Sequence, residues 1–154
     1  MPAVHPKTNT ALVGIAGVHH VVSELSRCGL IALPTVKNTA AYDIVALNVE
    51  GTRHANIQVK TSSRRVSFFS MPRPEKIRVG RHDYFVLVRW ASDAVGYECF
   101  LLSGKEARFQ VQNELSRQAR AKATRRVEFP CVWVGQRNSV SAAKWQADWE
   151  KWAL

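Results

Sequence analysis

The hydrophobic positions of the chain change period several times, and each change predicts an element. Residues 1–9 are polar with two prolines and predict a loose arm. Over residues 10–28, Leu12, Ile15, Val18, Val22 and Leu25 recur at three- and four-residue spacing, which predicts a helix. Gly29 supplies its stop, because the left-handed conformation past a helix end is cheap for Gly. Residues 30–36 read as a short strand that Pro34 confines to an edge or an end, followed by the polar turn Lys37-Asn38-Thr39. Two β-branched segments, 43–49 and 55–60, flank Glu50-Gly51-Thr52 and predict a hairpin. Residues 66–69 fit a third antiparallel strand, and residues 71–82, with two prolines and a Gly, a basic loop.

The second half continues with DYFVLVRW (83–90), a buried strand, and YECFLL (97–102), its hairpin partner. Ser103 with Glu106 three residues on is a capping-box start for a helix running to about Ala123. Residues 127–134 read as an edge strand or an extended crossing segment. A last helix begins near Ser139 or Ser141 and sets Trp145, Trp149 and Trp152 in one stripe. That stripe reads as core or a homodimer seam, with stacking on unpaired bases as the competing use. No internal repeat interrupts the series.

Composition adds a partner to this outline. The 154 residues suit one domain, and 46% hydrophobic content is too high for a disordered chain. The net charge of +10 asks for a polyanion, most simply nucleic acid, with an anionic membrane surface as the competing reading. No apolar run reaches membrane-spanning length and the start lacks a signal pattern, so the expectation is a cytoplasmic protein. Cys28, Cys99 and Cys131 lie far apart without metal-ligand spacing and read as reduced thiols. No phosphate-binding Gly-rich loop and no nucleophile elbow occurs. His19 and His20 point about 100° apart on a helix, which suits chelation of one ion poorly.

The predicted hairpin carries the chemistry. Folding it about its turn sets residues whose numbers sum to roughly 101–103 opposite one another, so Asp43 faces Gln58 or Lys60. Gln58 and Lys60 are two apart and share a face. A carboxylate with a neutral oxygen donor can hold Mg²⁺, and Mn²⁺ is an alternative. A neighbouring ammonium can orient a water or offset charge on a phosphate. The competing reading is an ordinary amphipathic hairpin with its polar residues in water.

Asp-x(14)-Gln-x-Lys on a hairpin, after a helix and a strand, resembles the PD-(D/E)XK nuclease superfamily. Small bacterial members are most similar, sharing a Gly-rich helix start (GIAGVHH here), a Leu-x-x-x-Gly helix end at Leu25–Gly29, Tyr42-Asp43-Ile44, and Ile57 to Ser62. The likeness covers roughly residues 10–90. It implies an α/β, restriction endonuclease-like three-layer fold with a mixed central β-sheet flanked by helices. It also implies Mg²⁺-dependent phosphodiester hydrolysis, with DNA the expected substrate. Asp43 and Gln58 would bind metal, and Lys60 would complete the catalytic set. Two positions depart from the pattern. Gln58 replaces the second acid, as in some members of the group, and removes one negative charge. Val18 stands where relatives often place a helix Glu, which leaves Glu24 as a weak candidate ligand.

Around this set, Lys37, Ser62, Arg64, Arg65, Arg73 and Arg78 are candidates for nucleic-acid contact, since most such contacts go to phosphate. Solvated turns explain the same residues. From Lys105 to Arg126 seven basic residues face two acidic ones, a further basic surface. Two rivals stand beside the nuclease: a non-catalytic nucleic-acid-binding module on the same fold, and a protein-interaction or immunity-type protein.

Overall fold

The computed structural model describes residues 9–36, 42–91, 96–121, 128–134 and 147–149. The arm up to residue 8, Lys37, the start of the last helix, Trp145 and Trp152 lie outside the described residues. The chain runs α1 (Thr10–Arg27), β1 (Ile31–Pro34), β2 (Ile44–Leu47), β3 (His54–Ser62) and β4 (Phe68–Ser70). A single 3-10 turn at Pro74–Lys76 leads to β5 (Asp83–Trp90), β6 (Tyr97–Ser103), α2 (Gly104–Arg120) and β7 (Cys131–Trp133).

The main sheet has the order β1-β2-β3-β5-β6. All neighbours are antiparallel except β3 and β5, which run parallel, so the sheet is mixed. The segment between β3 and β5 forms β4, which pairs with β7 in a separate two-stranded sheet. Residues 66–69 therefore do not extend the hairpin as an antiparallel strand. Strand β3 pairs with β2 as far as Ile57 and with β5 as far as Ser62, after which the chain leaves the sheet. The buried guanidinium of Arg89 fixes that exit by donating to the Val66 carbonyl and to Glu98.

Alternation along β3 sorts its side chains to two cores. Ala55, Ile57 and Val59 join Ile44, Ala46, Val86, Val88 and Cys99 beneath α1, where Val21 and Leu25 are fully buried. On the other face, Phe85, Leu87, Phe100 and Leu102 pack against Ala107 and Val111 of α2 and against Phe69 and Val132 of the small sheet. The layers are thus α1, the main sheet, and α2 with β4–β7.

Local signals explain the element ends. Asn9 caps α1 by accepting from the Ala11 amide, 2.9 Å away. Past its end Gly29 takes φ +84° while the Leu30 amide returns to the Leu25 carbonyl, a closure that a side chain at 29 would strain. The β2–β3 turn uses Gly51 at φ +68°, with Asn48 bonded to Glu50, Thr52 and the Arg53 amide. Ser103 and Glu106 form both halves of the expected capping box, and α2 ends at Arg120. The helical stripe of α1 is shifted from expectation: Gly17, Val21 and Leu25 are buried, whereas Leu12 and Ile15 are 62% and 51% exposed. Gly17 explains the shift. A Cβ there would stand 1.8 Å from the Thr61 hydroxyl oxygen, so the helix approaches β3 on its glycine face.

Candidate functional site

The hairpin register is the smallest of those the sequence allowed. Ile44 pairs with Ile57, so their numbers sum to 101 and the next step outward sets Asp43 opposite Gln58. Backbone bonds clamp Asp43 on both sides: its amide donates to the Ile57 carbonyl (2.8 Å) and its carbonyl accepts from the Thr35 amide (2.9 Å). The carboxylate then turns to β3, where Oδ2 accepts from the Val59 amide at 2.7 Å. Val59 lies between Gln58 and Lys60. The carboxylate is therefore pinned at the step of β3 that carries both, and alternation puts Gln58 and Lys60 on one face.

Two concavities flank this segment, and Tyr42 borders both. The larger, about 400 Å³, lies between α1 and the end of β1, and includes Gly14, His19, Thr35 and Asp43. The smaller, about 230 Å³, is lined by Gln58, Lys76, Arg78 and Asp83. Asp43 and Gln58 thus open to neighbouring hollows, while Lys60, half-buried, borders neither.

Between the hollows stands a polar network. Asp83, buried at the start of β5, accepts from the Tyr42 hydroxyl (2.9 Å), Asn56 Nδ2 (3.1 Å) and the Gly80 amide (2.9 Å). Arg78 donates to the Tyr42 hydroxyl (3.0 Å) and lies over its ring. Burial pushes the Asp83 carboxyl up. The donors Asn56, Tyr42 and Gly80, with the charge of Arg78, outweigh burial and hold it below the usual range. Burial and the bond to Asp83 raise the Tyr42 phenol, against the pull of Arg78. Sequence reasoning missed Asp83. It opens a mostly apolar strand, and only the parallel register that sets Asn56 beside it reveals the network.

The remaining predicted residues fall as follows. Glu24 pairs with Arg27 at 3.0 Å and does not line the Asp43 hollow. His19 does line it, while His20 turns to the Tyr97 ring, 4.8 Å between centroids, where burial lowers its pKa against the pull of Glu24. Ser62 accepts from the Arg64 amide, and Arg64 and Arg65 are exposed beyond it. Arg73 reaches Glu128 at 3.5 Å. The basic loop is anchored, since Ile77 is buried and Arg108 of α2 donates to its carbonyl. Cys99 and Cys131 are buried thiols pushed up to about 12 and about 11 by burial, and Cys28 is half-buried. Among the described residues, no helix is long and apolar enough to cross a membrane.

No protein-family model matches the chain, and no curated protein matches it. The structure of a bacterial homing endonuclease aligns over 92% of this chain and 90% of its own, with a TM-score of 0.51 and 11% identity. A Holliday junction resolvase from the archaeal hyperthermophile Archaeoglobus fulgidus aligns over 60% of this chain and 73% of its own, with a TM-score of 0.41 and 20% identity. The fold is restriction-endonuclease-like, a mixed central sheet flanked by helices, and that conclusion rests on the first of these likenesses together with the sheet order.

Proposed function

We propose that the chain is a divalent-metal-dependent nuclease that hydrolyses phosphodiester bonds, with DNA as its substrate. The observation that carries this reading is the bond from the Val59 amide to Asp43, which fixes a carboxylate beside the Gln58–Lys60 step of a nuclease-type sheet. Among the described residues no three His, Cys, Asp or Glu side chains gather into a metal cluster. One carboxylate and one carboxamide oxygen are nevertheless a fitting donor set for Mg²⁺, which keeps several waters and takes few protein ligands. Asp43 and Gln58 would hold the ion. Bound there, it would supply Lewis-acid stabilisation of charge on the phosphate.

The chain's own groups do the rest. Lys60 orients the attacking water and offsets the charge that builds on the phosphate oxygens. Arg78, steered by Tyr42, and Lys76 offer cations to an adjacent phosphate from the smaller hollow, and Ser62, Arg64 and Arg65 continue the track past Lys60. Affinity would then fall steeply with salt as counterions cease to be released.

The test is cleavage of plasmid, linear, branched and single-stranded DNA and of RNA, with Mg²⁺, Mn²⁺ or EDTA. Metal-dependent cleavage should vanish in Asp43→Asn and Lys60→Ala proteins that keep the wild-type circular dichroism. Gln58→Glu restores the missing charge and should lower the Mg²⁺ concentration needed for half-maximal rate. Absence of cleavage by both wild type and Gln58→Glu, with salt-sensitive binding intact, would instead establish a non-catalytic binding module, the reading that Gln58 favours.

A further inference from the structure

The β4–β7 sheet carries an aromatic cluster that neither core absorbs. Phe68, Phe129 and Trp133 are 39%, 41% and 38% exposed. The Phe68 ring stands edge-on to Phe129 at 5.6 Å and tilted to Trp133 at 5.4 Å between centroids. Large aromatic surface left in water at three touching positions has a cost, and burial on a partner would recover it.

The cluster is also braced. Gln118 of α2 grips the backbone of Phe129 twice, donating to its carbonyl and accepting from its amide, each at 3.0 Å. Gln118 donates in turn to Glu114, which is buried and accepts from Arg117 and from the Trp133 indole. One carboxylate on α2 thus holds two of the three aromatic positions. Rings fixed in advance lose little freedom when something stacks on them.

The rim is basic. Arg64 and Arg65 lead directly into β4, Arg73 reaches Glu128 beside Phe129, and Arg117 and Arg120 are exposed at the end of α2. A second copy of the chain would bring its own +10 charge against that rim, whereas a polyanion is attracted to it. A regular duplex keeps its base faces stacked internally and offers aromatic rings nothing. Unpaired bases expose the faces that Phe and Trp bind. The patch lies in the same layer as α2, on the sheet face that Gln58 and Lys60 share with their register partners Phe85 and Leu87. A strand followed by the chain from Lys60 past Arg64 and Arg65 arrives at Phe68.

We infer that Phe68, Phe129 and Trp133 form a stacking platform for unpaired bases, so that the substrate has a single-stranded or distorted segment beside the cleaved bond. This rests on the proposed nucleic-acid function. Its test is anisotropy of a labelled single strand and of its duplex, in EDTA to prevent cleavage, with wild type, Phe68→Ala, Phe129→Ala and Trp90→Ala. Trp90, 49% exposed and tilted against Tyr97 at the last residue of β5, is the control.

Wild type should prefer the single strand. Phe68→Ala and Phe129→Ala should each weaken it by about 5- to 100-fold, with little change on duplex and none for Trp90→Ala. The slope of affinity against salt should be unaltered, since no charge is removed. Phe68→Leu keeps the apolar volume without a π-face and should lose affinity too, which separates stacking from misfolding. Equal single-strand binding by wild type and both alanine variants would overturn the platform while leaving the nuclease reading intact. So would a wild-type dimer that Phe68→Ala turns into a monomer without loss of binding. A wild type that binds neither nucleic-acid form would sink the functional reading itself and the platform with it.

Discussion

Gly14 and Gly17 lie one turn apart on α1, and adding the same methyl group to each should move stability in opposite directions. At Gly17 the new Cβ would meet Thr61 Oγ1 at 1.8 Å, Cγ2 at 2.7 Å and Cβ at 2.8 Å. Rotating the Thr61 side chain could move the first two atoms but not the third, so α1 and β3 would have to separate. Overpacking of this kind costs about 1–3 kcal/mol. Replacing a helical Gly by Ala gains about 1 kcal/mol of helix propensity, which offsets only part of a severe clash. A net loss of up to about 2 kcal/mol for Gly17→Ala follows, and with a urea dependence of about 2 kcal/mol per molar the midpoint should fall by up to about 1 M. At Gly14 nothing stands within 4 Å of the new Cβ. Gly14→Ala should therefore raise the midpoint, by roughly 0.3–0.5 M.

Urea unfolding followed by circular dichroism reads both signs in one experiment. Thr61→Ala in the Gly17→Ala background removes the two nearest atoms and should recover part of the loss. Thr61 directly follows Lys60, so the displacement also reaches the candidate site, and Gly17→Ala should lower any cleavage rate more than its stability loss explains. A Gly17→Ala midpoint at or above wild type would refute the close approach of α1 to β3.

Other positions give sharper single readings. Asp83→Asn should cost about 2 kcal/mol at neutral pH, because Tyr42, Asn56 and Gly80 lose a charged acceptor. The Asp83 carboxyl is held below its unfolded value of 3.8, so its contribution is present above that pH and disappears as pH falls through the lower folded value. Urea midpoints of wild type and Asp83→Asn should therefore converge in acid, and a deficit independent of pH would contradict the network. Ser103→Ala removes the acceptor for the Glu106 amide and should cost about 1 kcal/mol in the same assay. Thr61 Oγ1 is buried without a hydrogen-bond partner among the described residues, so Thr61→Val should stabilise by about 1 kcal/mol, and destabilisation would mean the hydroxyl is satisfied.

What the sequence made legible follows the range of the forces involved. Helix ends at Asn9, Gly29 and Ser103, and the turn at Gly51, are set by groups a few residues apart, so composition at those points specifies them. The hairpin register needs only a turn and an alternation, which is why Asp43 could be placed against Gln58 or Lys60 and the structure chose the sum of 101. The pairing of β4 with β7 joins Ser70 to Cys131, and the Asp83 network joins residues 41 apart. No local pattern encodes either.

The same distinction bears on the proposed catalytic set. The short-range features that place Asp43, Gln58 and Lys60 would hold the trio whether or not it reacts, since Ile44, Ile57 and Val59 enforce the register through burial alone. Chemistry instead depends on charge, and the proposed site carries the neutral carboxamide of Gln58 beside the Asp43 carboxylate. Gln58→Glu changes that charge and almost nothing else: position 58 is half-buried, borders the hollow containing Lys76 and Arg78, and has cations at hand to accept a new carboxylate. A rise in metal-dependent activity on that single change would place the limit of this site in its electrostatics, with the fold already complete around it.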